Sequence, residues 1–70
     1  MTTPEVSIIV NGETSTYPGG TNIRTLLELR GLSPEKVAVE LNRKLVRMSH
    51  YDTQLKDGDV IEIVTFVGGG

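Results

Sequence analysis

An α+β fold, with one short amphipathic helix laid across one mixed sheet, is predicted by three features of this 70-residue sequence. Apolar residues alternate at period two in Val6-Ile8-Val10, in Val37-Val39-Leu41 and in Ile61-Ile63, the mark of half-buried strands. Between the first two of these sets, Ile23, Leu26 and Leu27 recur at the i, i+3, i+4 spacing of one helix face. The elements then run strand, strand, helix, strand, strand, strand. A single helix stripe and a single sheet face can be hidden from water only against each other, in two layers.

Each element has a local cause. Glu5–Val10 reads as a strand, and Asn11-Gly12 after it is a strong hairpin signal, because a type I′ turn needs positive φ at both central positions. The return strand, Glu13–Tyr17, is polar, with Tyr17 as its inward anchor. Pro18-Gly19-Gly20 breaks it. Thr21 or Asn22 can cap a helix running to Arg30, where a cation suits the helix dipole. Gly31 is placed for the left-handed residue after the helix, with Leu32 folding back onto Leu27. Ser33-Pro34-Glu35 is a turn, Val37–Leu41 a strand, Asn42-Arg43 a turn, and Lys44–Arg47 a short, charged edge strand. His50–Thr53 is irregular or one helical turn, Leu55 plugs the core, and Lys56-Asp57-Gly58-Asp59 turns the chain. The last strand, Val60–Phe66, is the most apolar and should sit centrally, with Ile61 and Ile63 inward and Val64 and Phe66 on the other face. This order is that of the β-grasp, or ubiquitin-like, arrangement, with four to five strands and one domain over residues 1–70.

Composition narrows the function. A chain this short buries only about 60% of its unfolded surface, which leaves little room for a deep catalytic cleft beside a core. It contains no cysteine, so it has no disulfide, no thiol nucleophile and no thiolate metal site. A net charge of −2 argues against a general nucleic-acid binder. No apolar run approaches a membrane span and the N-terminus is no signal peptide, so a cytoplasmic location is expected. His50 is the single histidine and has no partner for a metal site; a surface histidine is the plain reading. Asp57-Gly58-Asp59 lacks the further ligands of a calcium loop, and Gly19-Gly20 lacks the lysine and spacing of a phosphate loop. Arg43, Lys44 and Arg47 read as a solvated basic edge that could serve as a minor docking patch. No metal site is expected.

The end of the chain stands apart. Phe66-Val67 leads directly into Gly68-Gly69-Gly70. Three glycines cannot hold a fixed structure alone, so residues 67–70 are expected to be a flexible tail, and the Gly70 carboxylate has no side chain to hinder an attacker. An ordinary frayed terminus is the competing reading. Phe66 is the only phenylalanine. Beside Val64 and Val67, it would make an apolar spot at the root of the tail, and aromatic anchors dominate partner sites. The competing reading has Phe66 curling back as core.

Taken together, Val10-Asn11-Gly12-Glu13, Val37–Asn42, Leu55–Asp59 and Glu62-Ile63-Val64 followed by Phe66-Val67-Gly68-Gly69-Gly70 resemble the ThiS-type sulfur carrier family of thiamin biosynthesis. The resemblance spans nearly the whole chain, and its specificity lies in the order and spacing of the pieces. It departs at Arg47, often proline in the family, at Tyr51, often tryptophan, and at the basic Arg43-Lys44. It implies a carrier acted on by other proteins, not an enzyme. An E1-like, ThiF-type adenylating enzyme would use ATP and magnesium to activate Gly70. A sulfur donor such as a cysteine desulfurase would supply the thiocarboxylate, and a ThiG-type thiazole synthase would consume it. Gly68, Gly69, Val67, Phe66 and Val64 would then be the partner-binding tail and its root, and the chain itself would hold no cofactor. The small subunit of molybdopterin synthase, a ubiquitin-like modifier conjugated to lysines, and a non-carrier β-grasp interaction module are the alternatives.

Overall fold

A computed structural model describes residues 4–66. The expected elements Val67–Gly70 of the tail lie outside the described residues. Five strands, β1 (Glu5–Val10), β2 (Glu13–Pro18), β3 (Val37–Leu41), β4 (Lys44–Val46) and β5 (Val60–Thr65), form one sheet in the order β2-β1-β5-β3-β4. The helix α1 (Ile23–Leu29) connects β2 to β3. β1 runs parallel to β5, and the other pairings are antiparallel. The five-stranded mixed sheet with one helix is the β-grasp order expected, and the apolar β5 occupies the centre.

One core lies between α1 and the sheet. Ile23, Leu26 and Leu27 from the helix meet Ile8 and Val10, Val37 and Val39, and Ile61 and Ile63 from three strands. Val6 and Tyr17 pack half-buried at its margin. Leu55 fills it from the loop before β5, as expected.

Tyr51 is the core residue that the pattern did not reveal. Its ring is 2% exposed, within a segment expected to be irregular. Met48–His50 forms one 3-10 turn, and Tyr51 follows as its cap. The same segment then caps α1. Ile23 N–H donates to the Thr53 carbonyl at 3.1 Å, and Arg24 N–H donates to the Tyr51 carbonyl at 2.8 Å. Thr25 N–H is satisfied by the Asn22 side chain at 2.8 Å, which makes Asn22 the N-cap. The first-turn amides, which have no partner inside a helix, are thus taken up by a side chain and a loop.

The other end of α1 closes as a Schellman motif. Gly31 N–H donates to Glu28 C=O at 3.0 Å and Leu32 N–H to Leu27 C=O at 2.8 Å, with Gly31 at φ +70°. Arg30 is the C-cap residue, at the helix end as expected. Its guanidinium also reaches β2, donating to the Tyr17 hydroxyl at 3.2 Å and to the Ser15 hydroxyl at 3.3 Å. Its donors thereby tie the helix end to a strand that has few apolar residues.

Candidate functional site

The described part of the candidate site is the outgoing half of β5. This strand begins tightly held. Asp59 Oδ2 accepts from Lys56 N–H at 2.7 Å within the turn, and its other oxygen accepts from Asn42 Nδ2 at 3.0 Å. Asp57 Oδ1 accepts from Ser7 N–H at 2.7 Å, and Gly58 N–H donates to the Ser7 carbonyl at 2.7 Å. These two aspartates therefore fix the entry of β5 to β1 and to the β3–β4 turn. Among the described residues no group of three or more His, Cys, Asp or Glu is placed to hold a metal ion.

Two asparagines then clamp the strand from opposite sides. Asn42 N–H donates to Val60 C=O at 2.7 Å, and Asn42 Oδ1 accepts from Val60 N–H at 2.9 Å. On the other side β1 pairs with β5 only through Ile9–Val60 and Val10–Ile61 before it turns away. Asn11 extends that ladder. Its backbone N–H donates to Ile61 C=O at 3.0 Å, while its side chain accepts from Ile63 N–H at 2.7 Å and donates to Ile63 C=O at 3.2 Å. Both asparagines hold positive φ, +49° and +51°, a conformation this residue type tolerates better than most. The Asn11-Gly12 signal correctly marks a turn. The reach of its side chain across 52 positions of sequence has no local signal.

Beyond Ile63 the strand is held by β3 on one side. Val37 pairs with Thr65, and Phe66 N–H donates to Lys36 C=O at 2.9 Å, one residue past the end of the strand. Alternation then decides which side chains face where. Ile61 and Ile63 are buried against α1, while Val64 and Phe66 are 61% and 59% exposed. Phe66 therefore does not curl back into the core. Val64 and Phe66 come together on the face away from the helix, at the place where the chain enters Val67-Gly68-Gly69-Gly70. Val67, Gly68, Gly69 and Gly70 themselves lie outside the described residues.

The remaining candidates fall away from this end. His50 is exposed on the 3-10 turn before Tyr51. Arg43, Lys44 and Arg47 are exposed on and beside the edge strand β4. Tyr51 is the described group with a clear perturbation. Burial pushes its phenol above the usual value of 10.0, so it is neutral at neutral pH. It serves the core and lies away from the end of β5.

A five-stranded mixed sheet with one helix and a central β5 defines the ubiquitin-like, β-grasp class. The comparisons agree. The ThiS family model matches residues 8–70. The crystal structure of the thiamine biosynthesis protein ThiS from Geobacter metallireducens superposes with a TM-score of 0.75 at 39% identity, covering 93% of this chain and 100% of that one. Thiazole synthases from Paramagnetospirillum magneticum and Magnetococcus marinus are 38% and 42% identical over 66 residues. Those alignments take in 93% of this chain, which spans 20% of the length of either relative. The chain belongs to the ThiS family of sulfur carrier proteins.

Proposed function

We propose that this protein carries sulfur on the Gly70 carboxylate for the synthesis of the thiamin thiazole. The observation that carries this reading is the continuity of β5, clamped by Asn11 and Asn42, with Gly68-Gly69-Gly70 in a member of the ThiS family. A carboxylate is a poor electrophile until it acquires a leaving group. In the first step a Gly70 oxygen attacks the α-phosphorus of ATP on a ThiF-type adenylating enzyme, pyrophosphate leaves, and an acyl-adenylate forms. In the second, the terminal sulfur of a persulfide on a donor such as a cysteine desulfurase adds to the acyl carbon and AMP leaves, and a thiol reductant then cleaves the resulting acyl disulfide at its S–S bond, releasing the thiocarboxylate.

Thiazole synthase is the proposed acceptor. Support comes from the thiazole synthases that contain, within one polypeptide, a stretch 38–42% identical to this chain. Physical linkage raises the local concentration of a donor beside its acceptor. This chain contributes orientation: a rigid strand sets where a thin tail begins, and small misplacements of a reacting group are costly. ATP and magnesium belong to the adenylating partner, and this protein acts as a carrier, not an enzyme.

Intact-mass spectrometry tests the reading. Incubated with the adenylating enzyme, ATP and a sulfur source, the protein should exchange one oxygen for one sulfur, located to Gly70 by fragmentation. Deleting Gly69-Gly70, or adding one bulky residue after Gly70, should abolish the exchange and leave the unfolding transition in place. Sulfur located elsewhere, or normal transfer from the extended variant without trimming, overturns the proposal.

A further inference from the structure

The face of the sheet turned away from α1 carries an acidic pair inside an apolar frame. Register places Leu45 opposite Glu40 and Glu40 opposite Glu62, in one row across β4, β3 and β5. The next row sets Ala38 opposite Val64, and Phe66 follows on β5. The hydrogen bonds from Asn42 N–H to Val60 C=O and from Phe66 N–H to Lys36 C=O set the phase of the β3–β5 ladder. Counting by twos, Glu40 and Glu62 are a hydrogen-bonded pair, with Cα atoms about 5.5 Å apart and side chains standing together on the same face.

Like charges directly opposite in a sheet are destabilising. The chain nevertheless holds two on central strands, and both are exposed. Neither carboxylate accepts any side-chain hydrogen bond among the described residues. Around them lie Leu45, Val64 and Phe66, at 70%, 61% and 59% exposure, three of the five large apolar side chains left exposed in the described structure. An apolar patch of this kind marks a partner surface. The two carboxylates specify the complement: a cation whose donors fork toward both, ringed by aliphatic side chains. A guanidinium has that planar, forked shape.

We propose that this face docks thiazole synthase through one arginine of that enzyme seated between Glu40 and Glu62, with aliphatic side chains over Leu45, Val64 and Phe66. The inference rests on the reading of thiazole synthase as acceptor, and it assigns to Glu40 and Glu62 the choice of partner and register. Burial of the pair without a cation would leave two uncompensated charges, so a surface lacking the arginine is rejected.

The test titrates the full 70-residue chain into thiazole synthase of the same organism by calorimetry, at low and high salt. Three variants are compared: E40Q/E62Q, L45S, and E13Q/E28Q as a control with the same change of net charge at exposed sites away from this face. E40Q/E62Q should unfold at an equal or higher temperature, because a repulsion is removed. It should bind weaker by about ten-fold or more and lose salt dependence. L45S should also bind weaker without loss of stability, and the control should stay within about two-fold of wild type. If E40Q/E62Q binds within about two-fold of wild type, or no worse than the control, the arginine seat is overturned while thiazole synthase stands as the acceptor. If the wild-type chain does not bind thiazole synthase at either salt, both the seat and the acceptor assignment fall.

Discussion

The Asn11 side chain grips the Ile63 backbone on both of its polar groups, accepting from the N–H at 2.7 Å and donating to the C=O at 3.2 Å. It does for β5 what a further residue of β1 would do. β1 has turned away into Gly12 by this point, so without Asn11 the strand would run toward the tail with one side of its ladder open.

Replacing Asn11 with glycine isolates that clamp, since glycine keeps the left-handed backbone and loses only the side chain. The expected cost is about 1–3 kcal/mol, from two part-buried backbone groups left without partners. Amide exchange at Ile63 should accelerate more than exchange at Val39, whose strand is paired on both sides. Equal protection of Ile63 in wild type and N11G would show that the clamp contributes nothing.

The β3–β4 turn holds strain that can be removed. Arg43 sits at φ +73°, following Asn42 at +51°, so both central residues are left-handed, as a type I′ turn requires. A residue with a Cβ pays on the order of 1 kcal/mol there, and glycine does not. Arg43→Gly should raise the unfolding free energy, read from denaturant melts, by up to about 1 kcal/mol, net of the added freedom of the unfolded chain. A fall in stability would mean that the guanidinium holds the edge in a way the backbone does not reveal.

Much of this architecture is legible in the sequence, and the omissions share one cause. Period-two runs place Ile8, Val39 and Ile61 in the core, helical spacing places Leu26, and the alternation that buries Ile63 also exposes Val64 and Phe66. These are local consequences of backbone geometry. Tyr51, Asn11, Asn42 and Arg30 are different. Each acts on a residue far away in sequence, through a contact that exists only after the sheet has assembled. Turn propensity correctly marks Asn11 and Asn42, but their side-chain targets on β5 are set by strand order. Tyr51 stands in a stretch with no periodicity, and it joins the core cluster of α1 and the sheet from a segment whose carbonyls take up the first amides of α1.

Tyr51 makes stability sensitive to alkali. Burial raises its folded-state pKa above 10.0, so between the unfolded and folded values the native chain binds more protons than the unfolded one. Its contribution is complete below pH 10 and is lost as pH rises through the folded value. Unfolding midpoints should therefore be flat near neutrality and fall above about pH 10. Tyr51→Phe should keep the core filled and flatten the alkaline fall. An identical alkaline limb in Y51F would remove Tyr51 as its source.

Phe66 separates docking from folding most directly. It lies one residue beyond β5, fixed by its N–H bond to Lys36 C=O, and its ring is 59% exposed. The backbone bond does not depend on the side chain, so Phe66→Ala should leave the ladder intact and shift the unfolding midpoint little. Phe66 and Val64 nevertheless share the exposed sheet face, and Phe66 directly precedes Val67-Gly68-Gly69-Gly70 in the sequence. Loss of the ring should weaken binding to the adenylating enzyme or to thiazole synthase by about 1–3 kcal/mol, as removal of an aromatic anchor does. Calorimetry on the folded variant, paired with its thermal melt, distinguishes the two roles. A melt that collapses while affinity per folded molecule is unchanged would assign Phe66 to the core, against its exposure. An unchanged melt with unchanged affinity for both enzymes would place the docking surface elsewhere on the sheet.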